Sequence, residues 1–139
     1  KPMINRTGME MSFSGLKTAF SRQWQELNYN EACKQDLAAS LQETVVDTLI
    51  IKLQRALKLT NASSIVVAGG VAANWQLRAK LKELATVKGL DVFFPTIELC
   101  TDNGAMVAFA GYMHYNTYNT TNSELAVQIY PRWQTGSLD

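Results

Sequence analysis

Apolar residues recur along this chain with two different periods, and the changes of period predict its elements. From residue 28 to 59 the stretch NYNEACKQDLAASLQETVVDTLIIKLQRALKL carries Leu37, Leu41, Val45, Leu49, Leu53 and Leu57 four apart, widened by Ala38, Val46, Ile50 and Ala56. That pattern is one broad apolar face of a long helix. Asn28 and Glu31 stand at capping-box spacing, with Asn30 as a rival cap, and TNAS at 60–63 ends the helix. Ahead of it, EMSFSG (10–15) reads as a short strand ending at Gly15, and LKTAFSRQWQEL (16–27) as a short helix.

SIVVA (64–68) is a continuous apolar run with Ile65, Val66 and Val67. It is too short for a helix and suits a strand covered on both faces. AANWQLRAKLKELA follows as a helix, with Leu77, Leu81 and Leu84 inward and Arg78, Lys80 and Lys82 toward solvent. LDVFFP (90–95) is the next strand, stopped by Pro95. TDNGAMVAFAGYMHY (101–115) is again helical, with Met106, Phe109, Ala110 and Met113 on one face. Helices alternating with strands predict an α/β fold with right-handed crossovers and a largely parallel sheet. Such sheets bind ligands beyond the carboxyl ends of their strands. The polar clusters at 69–74 and 101–103 both fall at turns of that kind.

Composition narrows the class. The 139 residues suit one ordinary domain, and a 47% hydrophobic fraction against 18% charged is enough to build a core. Thirteen Lys and Arg against 12 Asp and Glu leave a net charge of +1, so no global field draws the chain to nucleic acid or a membrane, although a local basic face stays open. Cys33 and Cys100 form no C-x-x-C pair and fit a reducing cytoplasm better than a disulfide scaffold. No apolar run approaches the roughly 18–20 residues of a membrane span. The opening KPMINRTGMEMSFSG has no signal-peptide apolar region and no initiator Met, so the chain is expected to be an excised piece of a cytoplasmic protein.

Two turns hold the candidate chemistry. In IVVAGGVAANWQLR, Gly69 and Gly70 let backbone approach a ligand without a Cβ in the way, at a helix start that favours anions. Asn74 offers a carboxamide that both donates and accepts, suited to a ribose hydroxyl or a base edge. The alternative is close helix–strand packing at the glycines, with Asn74 simply in the first helical turn. This is neither G-x-G-x-x-G nor a Walker loop, and SFSGLKTA lacks the Walker spacer. In CTDNGAM, Asp102 is either a cap for the helix that follows or a hard oxygen ligand for a metal ion. The one histidine, His114, lies about three turns further along and is a packed or solvated side chain rather than a partner. No H-E-x-x-H or persuasive Ser-His-Asp set exists, so this chain by itself holds no complete catalytic constellation.

SFSGLKTA, IVVAGGVAANWQLR, FFPTIELCTDNGAMVAFAGY and the ending YPRW together resemble the C-terminal part of TsaD, in order and over nearly the whole chain. This family of tRNA threonylcarbamoyladenosine transferases includes the archaeal and eukaryotic Kae proteins and was long labelled O-sialoglycoprotein endopeptidase. The resemblance implies the actin-like, sugar-kinase and heat-shock-chaperone (ASKHA) fold, with two RNase H-like lobes around a nucleotide cleft. This chain would be the second lobe, with a starting segment (1–15), an α/β core (16–118) and a tail (119–139). Asn74 would contact ATP or threonylcarbamoyl-adenylate, with Gly69 and Gly70 as close backbone. Asp102 would be the carboxylate ligand of one iron or zinc ion. That ion would be shared with an H-x-x-x-H motif on a first lobe that is absent here. Residues 9–11 and Gly104 depart slightly from the commonest family spelling.

The activity implied is transfer of a threonylcarbamoyl group to N6 of the adenosine beside the anticodon of ANN-reading tRNA. A TsaB-type paralogue and, in bacteria, a TsaE-type ATPase are the implied protein partners. The lobe alone is expected to be inactive, to bind adenine nucleotide weakly and to self-associate through its exposed cleft wall. Two rival functions are a metallopeptidase, as the old label has it, and a lobe whose main task is to dock partners. Tyr130, Pro131, Arg132 and Trp133 offer either tRNA contacts or a tail packed back on the domain.

Overall fold

The computed structural model describes residues 8–119. They fall into two compact units, one ending at Asp102 and the other starting at Asn103. The first is mostly helical around a two-stranded parallel sheet, which gives it α/β character.

Helix α1 (Ser14–Glu26) takes up the last two residues of the expected strand at 10–15, and no strand forms in that segment. Phe13 is already in helical conformation, and the Lys17 N–H reaches its carbonyl at 3.0 Å, so the helix captures Ser14 and Gly15. The segment ahead of α1 packs without forming a strand: Met9 and Met11 line an apolar cavity of about 380 Å³ with Leu53, Ile65, Leu77 and Leu81. The buried Lys52 ammonium donates to the Gly8 carbonyl and ties this segment to the next helix.

Helix α2 (Lys34–Thr60) is the long helix the apolar repeat predicted, entered through a 3-10 turn at Glu31–Cys33 and ended by Asn61 in left-handed conformation. Asn30 is the cap of that turn, accepting from the Ala32 N–H at 3.0 Å. The capping box on Asn28 does not form, because Asn28 and Tyr29 adopt left-handed backbone (φ 51° and 54°) as the chain leaves α1. The stripe is also less straight than it reads. Steps of four residues overshoot a full turn by about 40° each, so the six residues from Leu37 to Leu57 wind around the helix. The core takes the middle of the predicted face, Val46, Leu49, Ile50 and Leu53.

Strands β1 (Ser64–Val66) and β2 (Asp91–Phe93) pair in parallel, with Ile65 beside Val92 and Val66 beside Phe93. Val67, Val92 and Phe94 pack against the core cluster, and Ile65 is buried. The opposite face carries Val66 and Phe93, 76% and 57% exposed. The expectation of a strand covered on both faces is therefore corrected: α2 and α3 supply the same core cluster, and it meets one side of the sheet.

Helix α3 (Trp75–Lys88) lies between the strands and ends at Gly89, whose φ of 64° is one that glycine adopts without cost. Leu77, Leu81 and Leu84 are buried as predicted. Each such side chain contributes roughly 1.5–3 kcal/mol on leaving water. Lys82 is exposed as expected, but Lys80 leans on α2 and meets Asp47 at 2.6 Å. The hydrogen bond to Asp47 raises the Lys80 pKa above the ordinary lysine value. A raised cationic pKa stabilises the fold below the unfolded-state value of about 10.4 and ceases to do so as pH climbs through the folded value. Lys80→Met is accordingly expected to lower the melting temperature modestly at pH 7 and to flatten its fall above pH 10, so that the two proteins converge at high pH. A pH series of thermal melts on both proteins checks this.

In the second unit, α4 (Gly104–Tyr118) is capped by Asn103, whose side chain accepts from the Met106 N–H at 2.8 Å. Met106, Phe109, Ala110 and Met113 do share a face, but Val107, Ala108, Tyr112 and Tyr115 occupy the others, so the helix is apolar all round. His114 is exposed, the solvated side chain among the two expected alternatives, with its ring 4.8 Å from that of Tyr118. No helix among the described residues is long and apolar enough to cross a membrane. Tyr130 to Trp133 lie outside the described residues.

Candidate functional site

Both polar turns are built at the carboxyl ends of the parallel strands, within the first unit. Beyond β1 the ladder continues for one more bond, from the Val67 N–H to the Phe93 carbonyl at 3.0 Å. Gly69 then turns the chain with φ 83° and ψ 174°, a region essentially reserved for glycine. A single 3-10 turn (Gly70–Ala73) leads into α3. A Cβ placed on Gly69 or Gly70 would meet nothing within 4 Å. Close packing therefore does not explain these glycines. Gly69 is required by its backbone, and the space over Gly70 is open.

Asn74 is the N-cap of α3: its Oδ1 accepts from the Leu77 N–H at 2.9 Å. Its Nδ2 donates to Gln42 Oε1 at 3.1 Å, and Gln42 Nε2 donates to Gln76 Oε1 at 2.9 Å, so a chain of carboxamides joins α2 to α3. A carboxamide has two acceptor lone pairs and two N–H donors. The cap and the Gln42 bond use one of each, which leaves one of each for a ligand.

The second turn runs from Pro95 through a 3-10 turn (Ile97–Leu99) and the buried Cys100 to Asp102. Asp102 is exposed, and no hydrogen bond or ion pair engages its carboxylate among the described residues. The capping alternative is answered here, since Asn103 caps α4. As a ligand, Asp102 is an accessible hard oxygen donor, suitable for one position on a divalent ion. Among the described residues no three His, Cys, Asp or Glu side chains converge. Among the described residues Asp102 therefore offers one oxygen donor and not a metal site by itself.

The sequence model of TsaD, tRNA N6-adenosine threonylcarbamoyltransferase, matches residues 1–109, more than three quarters of the chain and both turns. The chain belongs to this family. TsaD proteins modify tRNA at N6 of adenosine by threonylcarbamoyl transfer, as the family's description states.

Besides Lys80, a second residue of this TsaD chain was expected in solvent and turns inward. Arg78, on the first turn of α3, sends its guanidinium inward between the two turns. Nε donates to the Ala72 carbonyl at 2.5 Å, and Nη2 to the Pro95 carbonyl at 2.8 Å. Nη2 also lies 3.4 Å from Cys100 Sγ, and the Cζ sits 5.0 Å from the centre of the Phe94 ring. The Cys100 thiol donates in turn to the Thr96 carbonyl at 3.4 Å. Position 78 follows the inward Leu77 by one residue, but Lys82 follows the inward Leu81 in the same way and is exposed, so no local cue in the sequence set Arg78 apart. Gln42 gave no signal, because its partners lie 32 and 34 residues away.

Proposed function

We propose that this chain is the C-terminal, RNase H-like lobe of an ASKHA-fold acyltransferase that moves a threonylcarbamoyl group from threonylcarbamoyl-AMP to N6 of the adenosine next to the anticodon in ANN-reading tRNA. The observation that carries it is the open Gly69–Gly70 turn, followed at once by a capped helix start. Backbone without side chains, next to the positive end of α3, accepts a nucleotide phosphate or ribose at close range. The remaining donor and acceptor of Asn74 orient the sugar. In the transfer, adenosine N6 attacks the carbonyl carbon and loses a proton, the acyl C–O bond breaks, and AMP departs with that oxygen. Holding the adenylate fixed converts this into an effectively unimolecular step.

Asp102 would hold one side of an iron or zinc ion, with further ligands from a first lobe. Such an ion, when bound, supplies Lewis-acid polarisation of the acyl carbonyl. The chain alone is expected to bind adenine nucleotide only in the millimolar range, about −4 kcal/mol, because half a cleft makes half the contacts. The TsaB-type paralogue and TsaE-type ATPase belong to this reading as partners of the complete cytoplasmic protein.

Asn74→Ser in the complete protein tests the nucleotide contact. Serine caps a helix about as well as asparagine, so the melting temperature should hold. The lost amide should raise the KM for threonylcarbamoyl-AMP roughly fivefold to tenfold, the loss expected for one hydrogen bond of about 1 kcal/mol. The measurement is incorporation of labelled threonine into tRNA, with metal-dependent casein cleavage run alongside. An unchanged KM removes Asn74 from the site, and chelator-sensitive cleavage would favour the peptidase instead.

A further inference from the structure

We propose that Arg78 is a positioning residue that sets the nucleotide turn and the Asp102 turn at a fixed separation. The inference rests on the proposed roles of the Gly69–Gly70 turn, Asn74 and Asp102. Arg78 touches neither candidate ligand position. It holds the carbonyl of Ala72, two residues from both Gly70 and Asn74, and the carbonyl of Pro95, which opens the segment leading to Asp102. The guanidinium is planar, with donors in a rigid fork, so two acceptors bound to one fork cannot move independently. Phe94 under its face and Cys100 at its end fix the plane of that fork. The fork grows from α3, whose Leu77 and Leu81 belong to the core cluster. Both turns are therefore referenced to the helix that fills the core of the unit, through one side chain. Lysine, a single ammonium on a flexible stem, can satisfy either carbonyl but cannot hold the two in one geometry.

The test uses the complete protein and two readouts besides activity: zinc affinity by titration of the metal-free protein, and ATP affinity by calorimetry. Arg78→Lys is expected to lower both by about tenfold or more, the size typical of losing a group that orients ligands, while Asp102 and Asn74 stay in place. The metal-free melting temperature should move by only a few degrees. A brace with a purely structural role predicts the reverse: a lower melting temperature with both affinities unchanged in the folded protein. That result overturns the proposal. Phe94→Leu removes the stacking face but none of the donors, and decides the matter if Arg78→Lys does not fold. It should weaken zinc binding about twofold to fivefold, and native zinc affinity in it overturns the proposal. Asp102→Asn run in parallel separates the two layers of argument. Zinc loss there with native affinities in Arg78→Lys removes Arg78 alone, whereas native zinc affinity in Asp102→Asn removes the ligand assignment and the Arg78 proposal with it.

Discussion

Asp102→Asn in the complete protein is expected to abolish most threonylcarbamoyl transfer and to empty the metal site, with little change in the stability of the metal-free protein. Asparagine has nearly the shape of aspartate, so local packing is preserved. Its neutral amide is a far poorer ligand for a divalent ion than a carboxylate. Changes to groups that merely orient a ligand cost about 10–100-fold in metal affinity or activity, and losing the ligand itself should cost at least that. The fold makes this test sharper than the sequence could. From CTDNGAM alone, Asp102 could have been the cap of the following helix, and a cap loss would have confused the result. Asn103 is the cap, its side chain on the Met106 N–H. Asn103→Ala should therefore destabilise α4 by about 1 kcal/mol, and Asp102→Asn should not. Metal content by elemental analysis, transfer activity and thermal melts on both variants separate these outcomes. Full metal and full activity in Asp102→Asn would remove it from the site.

What could be read from the residues followed the range of the interactions involved. The two strands and α3 were legible because Ile65, Val66 and Val67 form a β-branched run and Leu77, Leu81 and Leu84 repeat with the helical period, and both are local signals. The length of α2 was legible for the same reason, and its core residues all lie in the predicted apolar face, although which part of that face is buried was not legible. A strict four-residue repeat drifts around the helix, and which part of the drift becomes core depends on where α3 lands, here on Val46. The strand expected at 10–15 failed because a short segment with two apolar side chains, Met11 and Phe13, makes a strand only if a neighbour offers a free edge. Ser14 and Gly15 were instead taken into α1. The pair of turns at the ends of the parallel strands was visible in the alternation of elements, and with it Gly69, Gly70, Asn74 and Asp102. Arg78 was not. A charged residue on an amphipathic helix is assigned to solvent by default, and only the tertiary placement of the Ala72 and Pro95 carbonyls gives it inward partners. Whether a cap falls on Asp102 or Asn103 is likewise a matter of one residue, finer than any periodicity resolves.

The two glycines should respond to the same substitution in opposite ways. Gly69→Ala is expected to destabilise the unit by about 1–3 kcal/mol, since its φ of 83° with ψ of 174° is closed to residues with a Cβ. The cost is conformational, because the added methyl would meet no neighbour. Gly70 has no positive φ and equally open surroundings. Gly70→Ala should leave the melting temperature unchanged or slightly higher, as fewer unfolded conformations compete. If the open space is where a nucleotide lies against the backbone, that methyl intrudes on the ligand rather than on the protein. An intruding methylene-sized group typically costs about 1–3 kcal/mol, so ATP or threonylcarbamoyl-AMP affinity of the complete protein should fall roughly fivefold to 150-fold. Calorimetry and thermal melts on the two variants form a crossed design: stability lost at Gly69, affinity lost at Gly70. A stable Gly70→Ala protein with native nucleotide affinity would show that nothing approaches this turn. Gly70 would then be an ordinary surface residue, and the nucleotide reading of the β1–α3 turn would fall to Asn74 alone.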